Sequence, residues 1–312
     1  MPIQADDRER YSSFAVQLTK EMGAMLVPPD TLLWHYTTGT ALIGILESAT
    51  IYSTQISCLN DTSELRYGSN LYREAIRSLI PSRSDDPVAR DFLDSAIEYF
   101  KEDEDAPLQM GAPHFVTSFS EESDDLSQWR AYGGGENGYA VAFKAVDLWG
   151  VPNSMLARVV YDPSLHHSAA QRAVEAMVSF FKEAVEKHKP AHLNNFAIEF
   201  FEAWDPHVTA IAPIIKDPAF YKERECRIIK GFGPSDLNNL KFVQKNSLMS
   251  RHLPLQPGRL PMNVDYRLPI AQVMVGPCRN PKVSRVSVDT LLRQRGYPSG
   301  LVTISKIPFQ VT

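Results

Sequence analysis

Apolar and polar positions fall in short blocks along this chain, and the block that organises the rest is Leu32-Leu33-Trp34-His35-Tyr36-Thr37. Its apolar run with an aromatic pair predicts a buried strand. Gly39 then turns into Ala41-Leu42-Ile43-Gly44-Ile45-Leu46, whose apolar residues recur at helical spacing over Thr40 to Glu47. Strand alternation puts Leu33, His35 and Thr37 on one face and Trp34 and Tyr36 on the other. His35 is then expected at the strand end beside the loop, where folds of helices and sheets tend to place chemistry. Taken alone, it reads first as a hydrogen-bonded structural histidine.

The remaining blocks follow in order. An N-terminal helix is predicted over residues 6–26, with Phe14, Val16, Leu18, Met22 and Leu26 on its apolar side and Pro28-Pro29 ending it. Ala49 to Thr54 is extended. A helix over 62–80 is capped by Asn60 or Asp61, with Glu64 completing a capping box and Leu65, Tyr72, Ile76 and Leu79 inside. Alternatively, Asn60 and Asp61 hold a loop lining the same pocket as His35. Residues 81–107, around a helix from Val88 to Phe100, read as surface decoration.

Phe115 to Ser120 is the next strand, with Val116, Ser118 and Ser120 on one face and Phe115, Thr117 and Phe119 on the other. A short helix, Leu126 to Tyr132, puts Trp129 and Tyr132 three apart on a shared face. Gly133-Gly134-Gly135 lacks the GxxxxGK[ST] pattern of a phosphate loop and leads into the strand Tyr139 to Lys144, so it reads as a turn. Arg158 to Tyr161 is a further strand. Residues 164–212 form a two-helix insertion broken at Pro190, a helical cover or partner surface. Its His166-His167 pair reads as solvent-facing, and no metal is expected.

Tyr221 to Ile229 is predicted as one strand, so Glu223, Glu225 and Arg227 share a side while Arg224, Cys226 and Ile228 share the other. Two carboxylates on one strand face must meet water, arginine or a cationic centre. They read either as a solvated, arginine-paired face or as carboxylates held beside a sugar. Leu268 to Met274, Val286 to Arg295 and Leu301 to Ser305 form a closing β-α-β unit over 266–309, with Ser305 to Pro308 at an edge. No linker divides the chain. The expectation is a single α+β domain over 1–312, with one mixed or antiparallel central sheet flanked by helices.

Composition adds bounds. The 312 residues, 44% hydrophobic and 22% charged, are those of an ordinary globular protein. A net charge of −5 argues against a surface built mainly for nucleic acid. No apolar run approaches the roughly 18 residues of a membrane span, and Met1 to Arg10 is charged, without a signal-peptide core. A cytoplasmic chain is expected. Cys58, Cys226 and Cys278, far apart and without CxxC, fit reduced thiols.

In order, His35-Tyr36-Thr37 before a helix, Asn60-Asp61 with Glu64, Ser118-Phe119-Ser120, Trp129 with Tyr132, the Gly138 strand and Glu223-x-Glu225-x-Arg227 resemble the bacterial family named domain of unknown function 2971. Val275-Gly276-Pro277 and Ser305 to Pro308 extend the resemblance over roughly residues 32–309. That family brings no established activity. More remotely, His35, Ser118 to Ser120 and Glu223/Glu225 fall in the order of the ADP-ribosyltransferase superfamily, which has a split sheet; the helical insertion departs from it.

That second resemblance implies NAD as substrate and a transferase or NAD glycohydrolase, toxic in an uncontrolled cell and suited to a toxin or phage-defence role. Glu225 would stabilise an oxocarbenium-like transition state and Glu223 would orient a protein or nucleic-acid acceptor. His35, Tyr36, Thr37, Asn60, Ser118, Ser120, Trp129 and Tyr132 would hold the dinucleotide, with Tyr36 or Trp129 stacked on nicotinamide. Two other classes compete. One is a non-enzymatic module in which Asn60, Asp61 and Trp129 bind a ligand and the helical pair binds a partner. The other is a cysteine hydrolase using Cys226 with His35, which requires an exposed thiol near a base.

Overall fold

The computed structural model describes residues 4–59, 63–83, 85–99, 114–134, 138–208, 212–245, 248–258 and 266–308. Its elements run α1 (Ala5–Glu21), β1 (Leu32–Thr38), α2 (Gly39–Ser48), β2 (Ile51–Gln55), α3 (Ser63–Leu79), α4 (Pro87–Tyr99) and β3 (His114–Ser120). Then come α5 (Leu126–Tyr132), β4 (Gly138–Lys144), the single turn α6 (Ala145–Leu148), β5 (Ser154–Arg158), α7 (Pro163–His188) and α8 (Leu193–Val208). The chain ends with β6 (Glu225–Gly231), β7 (Lys241–Lys245), β8 (Leu248–Leu255), β9 (Ile270–Val275), α9 (Pro281–Gln294) and β10 (Val302–Ile304).

The ten strands form one open mixed sheet in the order β10-β9-β4-β1-β3-β2-β8-β7, with β6 branching from β3 and β5 from β6. Neighbouring strands are antiparallel except β9 and β10, the parallel pair that the closing β-α-β unit predicts. β1 pairs with β4 along its whole length. Its C-terminal Thr38 caps α2, the hydroxyl accepting from the Ala41 amide at 3.3 Å.

β3 is the strand about which the sheet divides. β6 pairs with it from His114 to Ser120 and so occupies one edge. On the other edge β1 meets it through Trp34 and Ser120, while β2 meets it through Thr54 and Gln55 opposite Val116 and Phe115. β1 and β2 therefore share that edge and part from it between residues 117 and 119.

Two large cores lie on the sheet. Helices α1, α3, α4, α7 and α8 bury Leu18, Ile76, Phe92, Phe181, Phe200 and Trp204 in a layer that Ile229 of β6 joins. Around α2 and α9, Leu33, Leu42, Phe143, Val273 and Leu292 form the second. A smaller cluster gathers Trp34, Tyr36, Trp129, Ala140 and Ala142.

Several expectations change. α1 ends at Glu21, and its inner stripe is Tyr11, Ala15, Leu18 and Met22; Val16 and Leu26 are exposed. That stripe keeps the i, i+4, i+7, i+11 spacing of one helix face, which a count of apolar residues alone missed. α4 is core instead of decoration, with Phe92 fully buried and stacked on Phe181 at 3.9 Å. The strand predicted from Tyr221 begins at Glu225, because Pro218–Glu223 forms a 3₁₀ turn ended by Arg224 in the left-handed conformation. α9 starts at Pro281, five residues before the predicted Val286, with proline in its favoured first turn. The β7–β8 hairpin was not predicted. Asn60 and Asp61 lie outside the described residues, as do the side chains of Glu64 and Leu65.

Candidate functional site

A cavity of about 350 Å³ opens where β1 and β2 leave β3. Register explains which side chains reach it. Thr54 faces Val116 and His252, Ser118 faces Arg227, and Ser120 faces Glu225, so residues of four strands share one side of the sheet. Ile229, two residues beyond Arg227, enters the helical core, and the cleft lies beside that layer.

At the β6 end the cleft holds a buried ion network. Arg227 grips Glu225 with two hydrogen bonds, Nε to Oε1 at 2.7 Å and Nη2 to Oε2 at 2.9 Å. Lys216 Nζ donates to Glu225 Oε2 at 3.1 Å and to Glu223 Oε2 at 2.6 Å, and lies 5.0 Å from the Phe220 ring centroid. Arg227 also donates to the Pro213 carbonyl at 2.7 Å. Burial alone would raise the Glu225 pKa; Arg227 and Lys216, with a hydrogen bond from Ser118, outweigh it and hold the carboxyl at about 2. Glu225 is an anion at neutral pH. A solvated charged face is thus replaced by a desolvated, fully paired one. The i, i+2 spacing places Glu225 and Arg227 side by side, and the left-handed Arg224 brings Glu223 back over Lys216.

His35 sits where β1 and β3 part, in mid-strand instead of at the predicted strand end. Its Nδ1–H donates to the Ser118 carbonyl at 3.0 Å, and its ring lies 5.7 Å from that of Phe119. Burial pushes its pKa below the ordinary histidine value, opposed by the Ser118 carbonyl. With the proton on Nδ1, Nε2 is left as an acceptor. Ser120 ties two loops together: its hydroxyl donates to the Glu223 carbonyl at 2.7 Å and accepts from the Glu122 amide at 3.0 Å.

His35, Tyr36, Ser118, Ser120, Tyr132, Glu223 and Glu225 all line the cavity. Tyr36 already spends its hydroxyl, donating to the Glu122 carbonyl at 2.7 Å and accepting from the Asp125 amide at 3.2 Å. Thr37 is buried and does not line the cavity. Nor does Trp129, which is buried edge-on to Tyr36 at 4.6 Å with its Nε1–H on Asp124 at 2.8 Å. Trp129 and Tyr132 therefore do not share an environment: Tyr132 is 41% exposed. Asn60 lies outside the described residues.

Sequence reasoning missed Lys216, which lies between the helical insertion and the strand predicted from Tyr221, and Tyr52, Thr54, Ser250 and His252. The last two lie on the unread hairpin. Cys226 is fully buried on the opposite sheet face with Phe119 and Ile228, and burial pushes its thiol up to about 12. The cysteine-hydrolase reading is overturned. His166 is buried between the Tyr67 hydroxyl at 2.8 Å and the Val160 carbonyl at 2.8 Å, against the expected solvent-facing pair. Among the described residues, no three His, Cys, Asp or Glu side chains converge as metal ligands. None of their helices is long and apolar enough to cross a membrane.

The molecule is thus an α+β protein with a divided mixed sheet and a polar, ion-paired cleft at the division. Residues 128–228 match the family described as protein of unknown function (DUF2971), which supports the family assignment read from the motifs. The matched segment runs from α5 into β6 and carries Glu223, Glu225 and Arg227. Neither a curated protein nor a solved structure matches the chain.

Proposed function

We propose that the cleft binds NAD and breaks its nicotinamide–ribose bond, as an ADP-ribosyltransferase-like enzyme or an NAD glycohydrolase. The observation that carries this reading is that His35, Ser118 and Glu225, far apart in sequence, line one cavity. Glycosidic cleavage passes through an oxocarbenium-like state, which an ionised carboxylate stabilises. Glu225 is held ionised by its partners, and Ser118 supports it. His35, neutral with Nε2 accepting, would bind a ribose hydroxyl. Glu223, on Lys216 at the rim, would orient the acceptor; water in that place gives hydrolysis.

A volume of about 350 Å³ lies near the lower end of small-molecule pockets, and suits a nucleoside end with the rest of the dinucleotide over the open side. Uncontrolled NAD consumption fits a toxin or phage-defence effector in the cytoplasm.

One observation favours a second reading. Arg227 engages both oxygens of Glu225 and neutralises it, which leaves the carboxylate less charge to lend a transition state and suits a non-enzymatic ligand-binding module. Nicotinamide release from NAD separates the two. Wild type is compared with Glu225→Gln and His35→Asn, each checked for folding by circular dichroism, with and without protein or nucleic-acid acceptors. Release abolished in folded His35→Asn and Glu225→Gln supports the enzyme, and acceptor dependence distinguishes transfer from hydrolysis. Binding of NAD without release leaves the module.

A further inference from the structure

The chemistry above uses the β6 side of the cleft. Across β3, the same cavity continues over β2 and β8, where pairing sets Thr54 against His252 and strand alternation adds Tyr52 and Ser250 to that face. Ser250 is 0% exposed and lines the cavity, yet its hydroxyl has no hydrogen-bond partner among the described residues. Buried hydroxyls in folded proteins are overwhelmingly satisfied, so one left unsatisfied at a cavity wall calls for a polar partner. Beside it, Thr54 Oγ1 and His252 Nδ1 are 3.1 Å apart. The Tyr52 ring lies 5.7 Å from that of His252 at 47° and is 46% exposed, leaving aromatic surface open.

The charge distribution limits what fits. Among the described residues, Lys216, Glu223, Glu225 and Arg227 are the charged residues of the lining, and all sit on β6 or the segment leading into it. The β2/β8 side offers a hydroxyl, an imidazole and a phenol ring. The group it takes is therefore uncharged, hydrogen-bonding and flat enough to lie on an aromatic side chain.

The geometry points to a second subsite here, for an uncharged planar heterocycle of nucleobase class, read by the Ser250 hydroxyl and flanked by Tyr52 and His252. It rests on the nucleotide reading of the cleft, but its test does not require turnover. The heterocycle is either the second base of the dinucleotide or part of the acceptor, and the experiment has an arm for each.

Titration calorimetry with adenosine, ribose and NAD is run on the full chain and on Ser250→Ala and Tyr52→Ala, with melting of each free protein in parallel. Free Ser250→Ala is expected to melt at or above wild type, since the substitution removes an unsatisfied group. Its adenosine affinity is expected to fall roughly fivefold to tenfold, the scale of one net hydrogen bond, and Tyr52→Ala to fall comparably. An equal fall for NAD assigns the ring to the dinucleotide; unchanged NAD affinity assigns it to an acceptor. The subsite is overturned if wild type does not bind adenosine, if both variants bind it as wild type does, if ribose shows the same Ser250 dependence, or if free Ser250→Ala melts several degrees lower. Adenosine binding that depends on Ser250 without nicotinamide release removes the reaction and keeps the subsite. Release with adenosine binding indifferent to Ser250 does the reverse.

Discussion

His35 Nδ1 donates to the carbonyl of Ser118 at 3.0 Å, across the point where β1 leaves β3. A side chain thus supplies a tie to β3 just beyond the Trp34–Ser120 pair, and the sheet can divide without orphaning a buried carbonyl. His35→Ala should lower stability by roughly 1–3 kcal/mol, measured by urea unfolding, because the carbonyl loses its donor.

The depressed pKa of His35 gives a pH test. The unfolded chain takes up this proton near the ordinary value of 6.5, and the folded chain only at lower pH, so protonation favours unfolding. The contribution is intact above 6.5 and is lost as pH falls below it. Buried His166 is shifted the same way by desolvation. His35→Asn should therefore remove part of the fall in urea midpoint between pH 7 and 5, and a slope identical to wild type would contradict this.

Glu225 makes the opposite kind of contribution. Its carboxyl, ordinarily near 4.5, is held at about 2, so stability from this group is complete above 4.5 and disappears as pH falls toward 2. Glu225→Gln should lower stability at pH 7 by roughly 3–5 kcal/mol, because buried Arg227 loses its anion and Lys216 keeps Glu223 alone. The gap between variant and wild type should close as acid is added. Replacing both ends, Glu225→Leu with Arg227→Met, should cost less than either single change.

How far this was legible from sequence depends on whether a residue's partners are near in the chain. β1, α2 and β3 were visible because alternation and helical spacing are local, and Glu225 with Arg227 could be paired by their i, i+2 spacing alone. The division of the sheet was implied only by the remote resemblance and not by periodicity, since it depends on β1 and β2 meeting the same edge of β3 from distant segments. Lys216 gave no signal for the same reason: its carboxylate partners are reached through a 3₁₀ turn whose left-handed Arg224 no periodicity reveals. The aromatic character of Trp129 suggested ligand stacking, but a tryptophan fills a core by the same chemistry. Ser250 and His252 sit among β8 residues whose mixed polarity obscured the strand.

The cysteines should separate cleanly by reactivity. Cys226 and Cys278 are buried, and Cys226 has its thiol raised to about 12, whereas Cys58 is partly exposed and lines the cavity. Alkylation of the native chain followed by mass spectrometry should modify Cys58 first, with the other two protected until unfolding. Prior occupation of the cleft by a bound nucleotide should slow Cys58 labelling and leave the others unchanged.

The seat of Trp129 requires glycine at positions 133, 138 and 276. A Cβ on Gly276 would lie 2.8 Å from the Trp129 ring and 2.9 Å from the Gly138 carbonyl oxygen, and one on Gly138 would lie 2.7 Å from the Gly133 Cα. Neither Gly138 nor Gly276 has positive φ, so close approach and not backbone conformation requires glycine there. Gly276→Ala should therefore destabilise by roughly 1–3 kcal/mol through overpacking alone. The ring cannot yield freely, because Nε1–H is held by Asp124, which also accepts from the Ser305 hydroxyl and the Lys306 amide. The displacement must then pass to α5, which carries Gln128 and Tyr132 into the cleft. Gly276→Ala should shift Trp129 fluorescence and weaken whatever the cleft binds, whereas Gly150→Ala, at an exposed turn, should alter stability through its backbone conformation and leave binding intact. Equal ligand affinity in Gly276→Ala and wild type would show that α5 does not transmit the strain.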